Sequence, residues 1–344
     1  MSSQQNAVLT VNECTNEGII TATYNYVAPG CKYSKQILTG KIVYKDVYGN
    51  MLVDFFDQNI VYSTFQEELP AIGAVYFDEN FSTVHIGFYD YKNSTQYILS
   101  SPADLKKMNG SSATFVLIND IDFDGISFEP INNFRGTLFG NGYSLKNISI
   151  SSTSSNVGIF NSMRSGYIID LCVTDAHITV TGTNSNVGIL CGSTESSIYN
   201  VLVSGEVNAP LCNYVGGVAG FSKYSVPGML TNAANVIGKD YVGGCFGYQT
   251  TVKNITLYDC KNSGIIRGNK YVGGIIGHAK QTSNTLKYEL QNCSNSGLIE
   301  GDNCVGGYIG YAEIYSSVIQ NECISTGNVR GSTHVSASIG KPYK

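Results

Sequence analysis

Tyr241-Val242-Gly243-Gly244-Cys245-Phe246-Gly247-Tyr248 and Tyr271-Val272-Gly273-Gly274-Ile275-Ile276-Gly277-His278 are two copies of one phrase, thirty residues apart. Working outward, the phrase recurs as NVGIF from Asn156, NVGIL from Asn186, YVGGVAGF from Tyr214 and CVGGYIGY from Cys304, and in decayed form as HVSASIGK from His334. The aligned valines are 157, 187, 215, 242, 272, 305 and 335, spaced by 30, 28, 27, 30, 33 and 30 residues. A second phrase lies between the copies: CKNSGIIRG from Cys260, CSNSGLIEG from Cys293 and CISTGNVRG from Cys323, with looser relatives at Val201 and Thr231. Each unit therefore holds about three short β-rich runs separated by Gly, Asn or Ser turns. Three strands per unit, each stacked on its copy one turn later, describe an all-β, right-handed parallel β-helix, a solenoid of repeats. At about 4.8 Å per turn, roughly eight turns would make a rod of about 35–40 Å.

The glycines after the valine carry a prediction of their own. Gly inside a strand weakens it, so its repeated use implies a close backbone approach or a bend that a side chain would block. In the last copy Ser336 and Ala337 replace the pair and Lys341-Pro342 follow, as expected of a terminal cap. At the other end Ser101-Pro102-Ala103-Asp104-Leu105-Lys106-Lys107-Met108 reads as a short helix, with Ser at the cap and Pro in the first turn. Its Leu105 and Met108 are placed to cover the first turn. The expected division is a β-sandwich-like domain over 1–97, a linker and capping helix over 98–112, and the repeat β-helix over 113–344. The first of these rests on alternating aromatic and β-branched runs such as ILTGKIVYKD and TVHIGFYDY, read as a small antiparallel sandwich.

Composition narrows the function. Charged residues make up 14% of the 344, while Gly reaches 38 copies and Tyr 24, which suits closely packed β-structure. The net charge of −5 and the lack of any Lys/Arg block argue against nucleic acid as a partner. No apolar run is long enough for a transmembrane segment. The opening MSSQQNAV shows neither the basic nor the apolar region of a signal peptide.

The run from Thr114 to Phe160, including VLINDIDFDG, FRGTLFGNGYSLKNISI and NVGIF, resembles the lead-in segment of proteins carrying the GLUG repeat, and the VGGxxG units resemble the repeat itself. The likeness covers about 113–344. Families with this repeat include bacterial and protist surface proteins, adhesin-like proteins and some large secreted peptidases, in which it serves as a non-catalytic extracellular module. The resemblance thus implies a β-helix displayed outside the cell or at its surface.

Candidate chemistry is sparse. The four histidines, His85, His177, His278 and His334, neighbour no nucleophile motif, and neither HExxH nor GxSxG occurs. Asp170, Asp175, Glu195, Glu206, Asp240 and Asp259 are expected in different phases of the repeat, forming no column and so no catalytic groove. Asp120-Ile121-Asp122-Phe123-Asp124-Gly125 resembles half of a calcium loop, but Ile131 stands where the twelfth-position Glu belongs. It also fits a strand with Ile121 and Phe123 inward, and no metal or cofactor is expected. None of the ten cysteines forms a C-x-x-C pair; Cys260, Cys293 and Cys323 recur at 33 and 30 residues, which suits an interior ladder. Cys14 and Cys31 could pair in an oxidising compartment. Sequons at Asn80, Asn93, Asn109, Asn147, Asn254 and Asn292 matter only if the chain is secreted.

The best candidate surface is aromatic. One residue before the valines stand Tyr214, Tyr241 and Tyr271; six after stand Phe221, Tyr248, His278 and Tyr311. Stacked rings on a solenoid face can bind a glycan or a protein, or can simply stabilise successive turns. Their unlike neighbours suggest one interior and one exposed column. CTNEGII from Cys14 matches CKNSGII from Cys260 in five of seven places, by chance in a Gly/Asn-rich chain or as a strand for head-to-tail self-association. The leading expectation is a non-enzymatic adhesion or structural protein. The alternatives are a carbohydrate-active β-helix enzyme (a polysaccharide lyase or hydrolase) and a self-assembling filament or scaffold subunit.

Overall fold

Sixfold repetition of one buried valine organises the solenoid. In the computed structural model, residues 96–342 are described except 184, 224–226, 282 and 284; before residue 96 only seven short strands are. The chain divides into Met1–Thr95 and Gln96–Lys344. In the first unit, Val8–Thr10 runs parallel to Lys35–Thr39, which pairs antiparallel with Ile60–Ser63; Tyr44–Lys45 with Met51–Leu52 and Val75–Phe77 with Val84–Ile86 are further antiparallel pairs. The expected sandwich, Cys14, Cys31 and the CTNEGII phrase otherwise lie outside the described residues.

The second unit is a parallel β-solenoid. Two seven-stranded sheets and one longer sheet, all parallel, make its faces. Val157, Val187, Val215, Val242, Val272 and Val305 pair turn upon turn and are fully buried; Val335 continues the register but is 43% exposed. Each buried valine contributes roughly 1.5–3 kcal/mol of transfer free energy. The expected three strands per unit are five segments in the later turns, as in Ile255–Tyr258, Lys261–Asn262, Ile266–Arg267, Lys270–Gly273 and Ile276–Gln281. The longest face bends twice per turn, once at a left-handed corner residue such as Asp259 (φ 53°), and each bend interrupts the ladder.

The Gly-Gly pairs are explained by contact. A Cβ on Gly244 would lie 2.0 Å from the Gly274 carbonyl oxygen of the next turn and 2.6 Å from Asn262 Oδ1. That asparagine belongs to an interior ladder: Asn232 Nδ2 donates to Asn262 Oδ1 at 2.7 Å, and Asn262 Nδ2 to Asn295 Oδ1 at 2.8 Å. The same amides also donate to carbonyls two residues on, so these buried polar side chains are well satisfied.

A 3-10 helix, Pro102–Met108, covers the first turns, with Leu105 and Met108 buried in the common core. Ser101 donates to Asp104 Oδ2 through its amide at 3.0 Å and its hydroxyl at 2.8 Å, and Lys107 reaches Asp104 Oδ1 at 2.8 Å. Hydrogen bonds from Lys107, Ser100 and Ser101 hold the Asp104 carboxyl well below its ordinary range. Gln96–Leu99, just before this helix, already pairs in parallel with Thr114–Leu117.

Candidate functional site

The two aromatic columns lie side by side on one corner. Backbone register stacks Ser162, Ser193, Phe221, Tyr248, His278, Tyr311 and Lys341 on successive turns. The valine register places Asn156, Asn186, Tyr214, Tyr241, Tyr271, Cys304 and His334 in the neighbouring column. From Tyr214 onward this second column is left-handed, with φ of 32° at Tyr214, 56° at Tyr241 and 58° at Tyr271. Bulky residues seldom adopt this conformation, at a cost of about 1–2 kcal/mol each. The rings recover much of it by packing, at about 0.5–1.5 kcal/mol per aromatic pair. Tyr241 lies 4.9 Å from Tyr214 and 4.8 Å from Tyr271, centroid to centroid; Phe221 and Tyr248 are 5.4 Å apart with planes at 6°. Rings also meet across the columns, as Tyr214 and Tyr248 do at 5.2 Å.

The expectation of one interior and one exposed column is therefore corrected. Tyr214, Tyr241, Tyr271, Phe221, Tyr248 and Tyr311 are all half-buried, and His278 alone is buried. The columns flank a corner, where each shields the other while the outer edges stay wet. Burial raises the phenol pKa of Tyr241, Tyr248, Tyr271 and Tyr311, so these rings remain neutral donors.

Charges fringe the corner. Glu313 Oε1 pairs with Lys280 at 2.7 Å, while its Oε2 lies 3.2 Å from His278 Nε2. Burial outweighs the attraction of Glu313 and lowers the His278 pKa to about 4, with Lys280 acting in the same direction as burial. Lys341 sits 5.7 Å from the centroid of Tyr311, and Lys223 and Glu195 pair at 3.7 Å.

The remaining candidates resolve structurally. Ile121 and Phe123 point inward, while Asp120 is engaged by Lys146 at 2.6 Å and Asp122 by Asn147 at 2.8 Å. Among the described residues no group of three or more His, Cys, Asp or Glu is placed to hold a metal ion. The thiols of Cys260, Cys293 and Cys323 donate to backbone carbonyls, Cys260 to Tyr258 at 3.7 Å, Cys293 to Leu257 at 3.5 Å and Cys323 to Leu290 at 3.4 Å. The neighbouring Cys245 and burial push Cys260 up, and Cys260 and burial push Cys293 up. None of the eight described cysteines is in a disulfide. One acidic expectation fails: Asp170 and Asp259 do share a column, with Asn200, Met229, Asn292 and Glu322, all left-handed. Small differences in repeat length hid this phase. Consecutive carboxylates in it are separated by other residues, Asp170 bonding Asn200 at 2.7 Å. A half-open cleft of about 400 Å³ beside the cap is lined by Lys106, Phe128, Glu129, Asn132, Ser152 and Asn161. The asparagine ladder was missed in the sequence, although the recurring third-position Asn of CKNSG and CSNSG marks it.

No family model matches the chain. It is similar to halomucin of Haloquadratum walsbyi, at 34% identity in an alignment 144 residues long that covers 36% of this chain and 2% of that protein. Among solved structures it is similar to one from Bacteroides ovatus described as a candidate immunoglobulin A1 protease. That match has a TM-score of 0.54 and 18% identity over 74% of this chain and 85% of the other. This second likeness is one of fold.

Proposed function

We propose that the chain is a non-enzymatic recognition protein of a cell surface or extracellular layer, and that its GLUG-type solenoid presents the aromatic corner to a glycan or protein. The observation that carries this reading is the half-exposed ladder of Tyr214, Tyr241, Tyr271, Phe221, Tyr248 and Tyr311. Aromatic clusters that keep polar edges in water combine large contact area with hydrogen bonding, as interaction hot spots do. Three tyrosines also occupy a backbone conformation better suited to Gly or Asn, so propensity alone does not account for them. Partial similarity to a protein named as a mucin supports the surface setting.

The test is retention on immobilised cell-surface glycans and matrix proteins. Wild-type protein is expected to be held by at least one surface, and the Tyr241→Ser/Tyr271→Ser variant to lose at least about tenfold in affinity while remaining folded. Equal retention of both proteins on every surface would remove the corner from the account. Incubation with a polysaccharide panel is expected to leave chain lengths unchanged; appearance of shortened or unsaturated products would favour the enzyme reading instead.

A further inference from the structure

The aromatic columns end in a step. One turn before Phe221 its column continues as Ser193 and then Ser162, and one turn before Tyr214 its column continues as Asn186 and then Asn156. Phe221 uses one ring face against Tyr248. Its other face looks over Ser193, whose side chain is too short to cover it. Tyr214 stands beside it at 6.2 Å, tilted by 64°. Phe221 and Tyr214 thus form a wall above a floor of Ser193, Ser162, Asn186 and Asn156, all half-buried.

The floor is polar but uncharged. Asn186 Nδ2 donates to Asn156 Oδ1 at 2.7 Å. Asn186 Oδ1 and Asn156 Nδ2 have no hydrogen-bond partner among the described residues, so the pair leaves one acceptor and one donor available on adjacent turns. Among the described residues, charges beside the floor stand only in the next row along the strands, where Lys223 and Glu195 pair with each other at 3.7 Å and Arg164 is exposed.

We infer that this ledge binds one neutral pyranose of a glycan. The inference rests on the recognition reading above and names its ligand class. A pyranose has a C–H face and a hydroxyl rim. The C–H face suits the electron-rich face of Phe221, and the rim suits amide and hydroxyl partners that carry no charge to desolvate. Rings inside the ladder are flanked by other rings, so a face for stacking is free only at its ends. At the far end Lys341 lies over Tyr311 at 5.7 Å and Cys304 follows Tyr271, which leaves the Phe221 end with the polar floor. An anionic ligand would find no cation in the floor, and an apolar one would strand the two amide groups.

Ser193→Phe provides the test, because it extends the ladder by one ring, fills the ledge and adds stacking rather than removing it. Wild type, Ser193→Phe, Asn186→Ala and the remote control Arg267→Ala are compared by thermal melting and on an array of immobilised neutral oligosaccharides with hexose or N-acetylhexosamine ends. The expected result is an unchanged or raised Tm for Ser193→Phe, at least about tenfold weaker sugar binding for it and for Asn186→Ala, and wild-type binding for Arg267→Ala. Sugar binding undiminished by Ser193→Phe would overturn the ledge while leaving the corner as the recognition surface. Absence of any neutral-sugar binding, with retention on a protein ligand that depends on Tyr241 and Tyr271, would overturn the sugar assignment alone. Absence of both would overturn the recognition reading with it.

Discussion

Gly244 and His278 show how much one position can decide. A methyl group on Gly244 meets backbone at 2.0 Å, so Gly244→Ala forces two turns apart. The expected loss is about 1–3 kcal/mol or more, read as a lower urea midpoint. His278 is buried with a pKa lowered from 6.5 to about 4, so the folded state disfavours its charged form. Between those values the unfolded chain binds more protons, and stability falls as pH drops from about 6.5 towards 4. Tm should therefore fall over this window, and His278→Phe, which keeps a ring in the column, should flatten the slope. An equally steep slope in the variant would place the titration elsewhere. The close approach at Gly244 was legible, because repeated Gly-Gly has few other causes. The burial of His278 was not. Its column reads as a run of outward positions, and its cover comes from four surrounding rings, Tyr311 at 4.8 Å, Tyr248 at 4.9 Å, Tyr241 at 5.5 Å and Tyr271 at 5.8 Å.

At the scale of elements, the ladders and the cap carry the stability. Asn262 links Asn232, Asn295 and the Gly264 carbonyl, so Asn262→Ala leaves buried groups unpaired. A loss of at least about 2 kcal/mol is expected by denaturant melting; a loss below about 0.5 kcal/mol would show the ladder to be incidental. Met108 closes the core beneath the 3-10 helix, and Met108→Ala should cost about 2–5 kcal/mol. Native alkylation gives a separate check: Cys191, Cys260 and Cys293 are buried with raised pKa values and should label only on unfolding. The cap was legible from Ser-Pro and its two apolar residues. The count of five segments per turn was not, since two-residue strands between left-handed corners leave no periodicity to read. The Asp170–Asp259 column was hidden for a related reason, its members being separated by Asn, Met and unequal repeat lengths.

For the solenoid as a whole, the valine spacing was the dependable signal, because a fully buried residue tolerates little phase drift. The candidate corner was half legible. Its residues were named by their offset from the valine, but the mutual shielding of two columns depends on the angle between faces, which the one-dimensional pattern does not contain. Everything proposed for the corner and its ledge depends on successive turns stacking in register. Spin labels introduced as non-canonical residues at Ser162 and Lys341, at opposite ends of one column, measure that directly. Six steps of about 4.8 Å predict a single narrow distance of roughly 29 Å, broadened only by the labels themselves. A broad distribution, or a mean beyond roughly 45 Å, would be incompatible with parallel strands at this spacing and would contradict the account.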